Sequence, residues 1–463
     1  MLSLFAATAA TAARTLVSPH RALVVVFGLG LVACSSSSAS NAGGDGGAGL
    51  DGGVGEGGGS SHAGDPPACT GAGGDGSIPP LRADHAGALD PAGTRFVIFG
   101  GDTATPGCPS PTSHTFDGAT WSLDVGCGAW TKVTPAASPP ARARHAMVTD
   151  AAGKRALLFG GRTSATGVGP YSLFSDVWAF DFDASVWSQV QTSGQGPSAR
   201  ANAAAVVDAG VDPGGASGGQ MIVFGGNTST SGLSFSPQND TFAMDLATGA
   251  WRAIATAGPK PPARQFHALA IDPGARAVYL YSGGDANALQ GPFLADVWKL
   301  DLASETWSQI ATTGDDPKGR IKHALAFDTV SKRLVTFGGH DDGNAGDLGN
   351  QNAVYALDVT TTPAKWSRVG RGDTLKNASA QQCSFPADFT TIDKASPERR
   401  SAFAWAPRRD GRALVIHGGD SDCGLLGDAW WWADGTEGWT TQKAATAGLS
   451  CLRVQTTCSG LCG

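Results

Sequence analysis

Six glycine pairs, Gly100-Gly101, Gly160-Gly161, Gly225-Gly226, Gly283-Gly284, Gly338-Gly339 and Gly418-Gly419, lie 60, 65, 58, 55 and 80 residues apart along the chain. An aromatic pair follows each: Trp121/Trp130, Trp178/Trp187, Phe242/Trp251, Trp298/Trp307, Tyr355/Trp366 and Trp430/Trp439, nine residues apart in five of the six. A period of this kind constrains the fold more than any local propensity, because each copy is one structural unit and the units must bury one another. In the second copy the runs Ala146-Met-Val, Ala156-Leu-Leu-Phe, Val177-Trp-Ala-Phe and Trp187-Ser-Gln-Val have strand length and are bounded by turn residues. A four-stranded sheet with aromatics on its faces cannot cover them alone, so neighbouring sheets stack, and radial stacking leaves only short, protected edges. We therefore expect an all-β chain, with six sheets of four antiparallel strands closed into a propeller over residues 80–445. The 463 residues would allow two or three domains, but the repeats assign nearly the whole mature chain to one. The glycine pair ends the second strand, where positive φ or close approach between sheets excludes a Cβ.

The residues that recur are Phe-Gly-Gly, then Asp176-Val-Trp178 with Asp181, then Trp187, preceded by Arg142-Ala-Arg-His145-Ala146. They resemble the kelch motif, and the resemblance covers about residues 80–445. It implies a six-bladed kelch-type β-propeller of the galactose oxidase-like superfamily. The departures are few: Ser282 precedes the fourth glycine pair, His417 precedes the sixth, and the repeated histidine is Ala203 in the third copy and Phe403 in the sixth. His85, His145, His267 and His323 recur at one register, which argues for a packing or turn role rather than a ligand set. Arg82, Arg142, Arg200, Arg264, Arg320 and Arg400 recur in every copy, and a buried hydrogen-bonding role within each blade is expected of them.

Before the repeats, Arg14, His20 and Arg21 precede the apolar run Ala22 to Leu31, in the form of a secretory signal over residues 1–33. The run is too short to span a bilayer core, which needs roughly 20 helical residues. Leu31-Val-Ala-Cys34 followed by serines resembles the lipobox of bacterial lipoproteins, which implies a lipid on Cys34 and an envelope address. In that family, Ser35 after the cysteine goes with the outer membrane. The apolar stretch Leu2–Ala13 lengthens this segment and suggests a translation start downstream of Met1. Residues 34–79 then form a Gly/Ser-rich linker, with half of residues 41–64 being glycine, that cannot bury enough apolar area to offset chain entropy. As a Gly-rich coil it reaches roughly 35–40 Å.

Nine cysteines leave one over from pairing, and lipidation of Cys34 accounts for it. The repeat map suggests Cys108 with Cys127 inside the first copy and Cys383 with Cys423 around the sixth. Cys69 would then clasp the ring by pairing with one of Cys451, Cys458 and Cys462, whose remaining two pair within a tail at 446–463.

Function is sought in what varies, the loops after each glycine pair, which in kelch propellers share a face with the connections between blades. The first residues of these loops, Asp102, Arg162, Asn227, Asp285, His340 and Asp420, form a polar candidate binding rim. One loop gathers Asp341, Asp342, Asn344 and Asp347, oxygen donors of the kind calcium prefers, without the EF-hand spacing. No other cofactor and no catalytic residue is expected. The net charge of −7 comes without a basic stripe, which argues against nucleic acid as a partner. The expected protein is a monomeric, membrane-tethered module for a protein or glycan ligand, and the insertion at 371–398 favours an elaborated binding face. The alternative is an envelope enzyme acting on small sugars or wall fragments in the central channel. Epimerase-like chemistry suits the composition better than a copper oxidase, because of four tyrosines only Tyr171 stands free in a loop.

Overall fold

The structure, a computed structural model, describes residues 65–443 except 70–73, 105–112, 211–217, 233, 257, 288–289, 342–349, 376–388, 392–394, 422–423 and 436–437. The signal, Cys34, Cys108, Cys383, Cys423, the tail cysteines, and Asp342, Asn344 and Asp347 lie outside the described residues. Six antiparallel sheets follow one another. Blade 1 is Ala86–Leu89, Arg95–Phe99, Thr120–Asp124 and Ala129–Val133. Blade 2 is Ala146–Asp150, Arg155–Phe159, Val177–Asp181 and Val186–Gln189. Blade 3 is Ala204–Asp208, Gln220–Phe224, Thr241–Asp245 and Ala250–Ala253. Blade 4 is Ala268–Asp272, Ala277–Tyr281, Val297–Asp301 and Thr306–Ile310. Blade 5 is Ala324–Asp328, Arg333–Phe337, Val354–Asp358 and Ala364–Arg368. Blade 6 is Ala404–Pro407, Ala413–Asp420, Leu425–Ala433 and Trp439–Lys443.

Strand alternation distributes each blade's apolar residues to two neighbours. In blade 1, Phe96 and Ile98 pack with Val415 and Trp431 of blade 6, whereas Val97 and Phe99 pack with Leu158 and Phe180 of blade 2. The same division repeats between blades 2 and 3, 3 and 4, 4 and 5, and 5 and 6, so the ring closes on itself through six cores. The six-bladed all-β reading is thus what the chain adopts.

Each repeated arginine is fully or almost fully buried and holds the blade together at its glycine pair. The guanidinium of Arg82, Arg142, Arg200, Arg264, Arg320 and Arg400 donates to the carbonyls of Gly100, Gly160, Gly225, Ser282, Gly338 and Gly418 at 2.8–3.0 Å. Five also pair with an aspartate, just before the third strand in blades 1 to 4 (Asp117, Asp176, Asp240 and Asp296) and within it in blade 6 (Asp428), at 2.5–2.8 Å. In blade 5 that place is Ala353, and Arg320 lies under the Tyr355 ring instead, 5.7 Å from its centroid. In blades 1, 2, 3, 5 and 6 the second glycine of the pair has φ between 90° and 107°, as in Gly101 at 101° and Gly161 at 100°. A Cβ on Gly101 would come within 2.7 Å of the His85 Cβ, so a side chain is excluded on two grounds.

Blade 4 corrects the reading of its repeat. Arg264 donates to Ser282, which has φ 61°, and Gly283 has φ 107°, so Ser282-Gly283 is the equivalent of the other glycine pairs. The Ser282 hydroxyl accepts from the Arg320 amide at 2.6 Å and has the Leu294 and Arg320 carbonyls within reach of its one proton, at 2.6 and 2.8 Å. The residue matching Asp102 is therefore Gly284, and Asp285 lies one position outside the register.

The repeated histidines are inter-blade packing residues. The rings of His145, His267 and His323 meet Phe99, Phe224 and Tyr281 of the preceding blade at 5.2–5.6 Å between centroids. Phe403 makes the same contact with Phe337 at 5.6 Å, and His85 meets His417 at 5.2 Å across the seam between blades 1 and 6. That phenylalanine substitutes for histidine at this register explains why the sixth copy tolerates the change.

The expected Cys108–Cys127 bridge is not the one that forms: Cys127 is bonded to Cys69. Cys127 sits in the turn between the third and fourth strands of blade 1, and the segment entering from the linker packs on that turn, with Gly126 against the Pro67 and Ala68 carbonyls. A clasp between Cys69 and the tail is thereby replaced as well.

Replacing Arg142 by Met removes one arginine, orphans the Gly160 carbonyl and leaves Asp176 unpaired. We expect a loss of about 3–5 kcal/mol in urea unfolding, against less than about 1 kcal/mol for Lys154→Met, whose ion pair with Asp183 is exposed.

Candidate functional site

Between the repeated arginine and histidine of each copy stands a residue with no repeated identity: Asp84, Arg144, Asn202, Phe266, Lys322 and Ala402. All six adopt left-handed φ, between 54° and 61°. The reason is a closed circle of backbone hydrogen bonds. Arg144 donates to Asp84 at 2.8 Å, Asn202 to Arg144 at 2.9 Å, Phe266 to Asn202 at 3.1 Å, Lys322 to Phe266 at 3.0 Å, Ala402 to Lys322 at 3.2 Å and Asp84 to Ala402 at 2.7 Å. One residue from each blade thus encircles the propeller axis where the inner strands begin, and a cavity of about 130 Å³ opens there. The row behind the circle, including His85, His145, His267, His323 and Phe403, lines it too.

Four of the six side chains meet across the mouth. Arg144 Nε donates to Asp84 at 2.7 Å, and Lys322 Nζ lies 3.1 Å from the same carboxylate. Ala402, between Lys322 and Asp84 in ring order, ends at its methyl and leaves the lysine room to pass. Phe266 stands opposite Asp84 and takes both cations on its ring, Arg144 at 5.3 Å and Lys322 at 5.2 Å from the centroid. Asn202 donates to Gln265 at 2.8 Å, which fixes it beside Phe266.

Charge is concentrated at this point. Burial alone would push the Asp84 carboxyl up, but Arg144, Lys322 and Arg162 together hold it far below the usual carboxylate range. Burial lowers the Lys322 ammonium against the pull of Asp84. Burial and the neighbouring Arg144 bring Arg162 down to about 9. Arg144 and Lys322 therefore meet one carboxylate directly, while Arg162 acts on it from the outer circle, where Asp102 and Asp420 offset Arg162 and Lys322.

The expected rim proves to be a second, outer circle with a mostly structural character. Asp102, Arg162, Asn227, His340 and Asp420 bridge by backbone to Ala83, Ala143, Ala201, Ile321 and Ser401, each one residue from the inner circle, and Gly284 takes this place in blade 4. Asp102 is buried and shapes its own loop, accepting from the Ala104 and Thr115 amides at 3.0 and 2.8 Å and pairing with His114. Asn227 does the same for its loop, accepting from Ser229 and Ser236 at 3.2 and 2.7 Å. Asp285 accepts from the Asn287 amide at 2.7 Å. Arg162 alone among these adds its charge to Asp84; its guanidinium lies 3.9 Å from the centroid of the Tyr171 ring and 3.4 Å from His114 Nε2. Asp420 acts from farther off, as an electrostatic partner of Lys322. Tyr171, read from the sequence as free, is buried beneath Arg162. Of the calcium loop only Asp341 is described, and its carboxylate accepts from Gln351 Nε2 at 2.7 Å. Among the described residues no cluster of three or more His, Cys, Asp or Glu side chains could hold a metal.

The inner circle was not singled out in the sequence because its residues differ in every copy. Its signal is that a position between two recurring residues changes chemistry six times while everything around it repeats.

A closed ring with recurring walls and a variable mouth defines a kelch-type propeller that presents one side chain per blade on its axis. The chain belongs to the KLHDC2/KLHL20/DRC7 kelch-repeats domain family, whose sequence pattern matches residues 69–212 and 215–459. It is similar to kelch domain-containing protein 10 of Homo sapiens, 29% identical over 235 residues covering 48% of this chain and 47% of that protein. It is similar to putative adagio-like protein 2 of Oryza sativa subsp. japonica, 26% identical over 309 residues covering 63% and 43%. A third likeness, 27% over 308 residues covering 63% and 75%, is to N-(sulfonatooxy)prop-2-enimidothioate sulfolyase of Thlaspi arvense. The chain spans about half the length of the kelch domain-containing protein 10 relatives it matches.

The buried histidines set the acid stability. Burial first, then nearby arginines, hold His145 and His267 at about 3, and His417 also at about 3, against 6.5 in an unfolded chain. Above pH 6.5 neither state binds these protons and stability is flat. Between 6.5 and about 3 only the unfolded chain binds them, so each histidine lowers stability by up to about 1.4 kcal/mol per pH unit. Unfolding followed from pH 8 to 4 should show the decline setting in near 6.5, and His267→Phe should reduce its slope; an onset only below pH 4.5 would contradict the burial.

Proposed function

We propose that the protein is an exported, lipid-anchored recognition module of the cell envelope that binds a partner protein or a glycan at the channel mouth. The observation that carries this reading is the meeting of Arg144 and Lys322 on the Asp84 carboxylate, at 2.7 and 3.1 Å, inside the ring of six variable residues. Two cations held at the mouth, Arg144 and Lys322, favour a ligand that offers an acidic group, such as a carboxylate side chain or an acidic sugar. A cavity of about 130 Å³ is small beside ligand pockets of roughly 300–1,000 Å³, which supports recognition of one inserted group by a broad face over enclosure of a whole sugar. The Cys69–Cys127 bond supports an oxidising compartment, because such bonds are rare in a reducing cytosol. Kelch propellers commonly serve protein recognition, and the family match is in keeping with it. The likeness to a protein named as a sulfolyase keeps the enzyme alternative, acting on small sugars or wall fragments in the channel.

Two experiments test the proposal. Mass spectrometry of the protein from its envelope should find a lipid on Cys34 as the first residue, and an unmodified Cys34 inside a longer chain would overturn the anchor. Binding to an array of neutral and acidic glycans and to separated envelope proteins should be lost at least tenfold in Arg144→Glu/Lys322→Glu while Lys154→Glu, on the opposite face, binds as the wild type does. Equal binding by the mouth variant would remove the mouth from the account, and turnover of a small sugar would favour the enzyme.

A further inference from the structure

Blades 3 and 5 carry a fifth strand that blades 2 and 4 lack among the described residues. Ser193–Gly194, in the connection from blade 2, runs parallel to the outer strand of blade 3, pairing with Ala250 and Trp251. Thr312–Gly314, in the connection from blade 4, runs parallel to the outer strand of blade 5, pairing with Ala364, Lys365 and Trp366. In both, a glycine faces the outer tryptophan so closely that a Cβ on Gly194 or Gly314 would run into the Trp251 or Trp366 carbonyl.

Blade 1 has no preceding blade in the chain to supply such a strap. At its outer strand, Gly74 faces the Trp130 carbonyl in the same way, and the Asp75 carboxylate accepts from the Lys132 amide at 3.4 Å. Both contacts advance along Ala129–Val133 in the direction of the chain, as the other two straps do. Five residues before Gly74, Cys69 is bonded to Cys127 in the turn that begins this strand. That turn lies at the end of the blade opposite the mouth, since Phe99 pairs with Thr120 and Thr120 with Val133 at the mouth end, while Arg95, Asp124 and Ala129 are partners at the other.

We propose that the segments 65–69 and 74–77 strap blade 1, and that the Cys69–Cys127 bond pins the entering chain to the lower face, opposite the mouth. The strap covers an edge strand that would otherwise offer unpaired backbone groups. The pin holds residues 65–69 on the lower face, away from the mouth.

Amide exchange and a non-reducing peptide map of the full chain test it. The map should recover Cys69 joined to Cys127, and the amides of Ala129–Val133 should be protected like those of the outer strands of blades 3 and 5. In Cys69→Ser, exchange at 74–77 and 129–133 should rise at least tenfold, with blades 3 and 5 unchanged. Cys127 joined to Cys108 or to a tail cysteine, or a wild-type outer strand that exchanges like those of blades 2 and 4, would overturn the proposal. Neither wild-type reading depends on the variant folding or on a lipid at Cys34.

Discussion

Six left-handed residues pass a backbone hydrogen bond from blade to blade around the propeller axis, and the last returns it to the first. A left-handed conformation costs a non-glycine residue about 1 kcal/mol or more, and the circle contains no glycine. The conformation persists because it turns each N–H and C=O along the circle, where every donor finds the neighbour's acceptor. The rest of the architecture holds the six backbones at that spacing. The arginine two residues earlier ties its segment to the end of the second strand through the glycine-pair carbonyl, and the histidine one residue later packs on the preceding blade. A change in any one of these would shift a blade relative to its neighbours and open the circle at that point.

Because the circle is made of backbone, it leaves the side chains free to differ. Asp, Arg, Asn, Phe, Lys and Ala occupy equivalent places on one frame, and their order around the ring determines the mouth. The small Ala402 lets Lys322 reach Asp84 from two places away, and Phe266 on the opposite side receives both cations. The repeat thus separates two tasks that compete in most folds: recurring residues maintain shape, and one residue per copy carries recognition. The outer circle serves the first task more than the second, since Asp102 and Asn227 spend their side chains on the loops that follow them.

Much of the fold was legible because its determinants recur. Glycine pairs, arginines and tryptophans at a fixed register specify six sheets, and the structure has them. Three things were not legible, for physical reasons. Ser282 stands where the other copies have a glycine of positive φ, and its hydroxyl finds the Leu294 and Arg320 carbonyls, so counting glycines shifts the fourth copy by one. Cys127 pairs with Cys69 because a strap lying on blade 1 brings them together, and proximity within a repeat says nothing about what packs on its turn. The mouth escaped notice because repetition marks what is structural, whereas the six residues on the axis are defined by not repeating.

The most direct test of this account is the exchange of the six amides of Asp84, Arg144, Asn202, Phe266, Lys322 and Ala402, followed residue by residue by NMR. If the circle is the element on which the blades depend, all six exchange only through global unfolding, at one common free energy among the highest in the molecule. If any of them exchanges as fast as the loop amides, or if the six separate by blade, the circle is a consequence of blade packing and not its keystone.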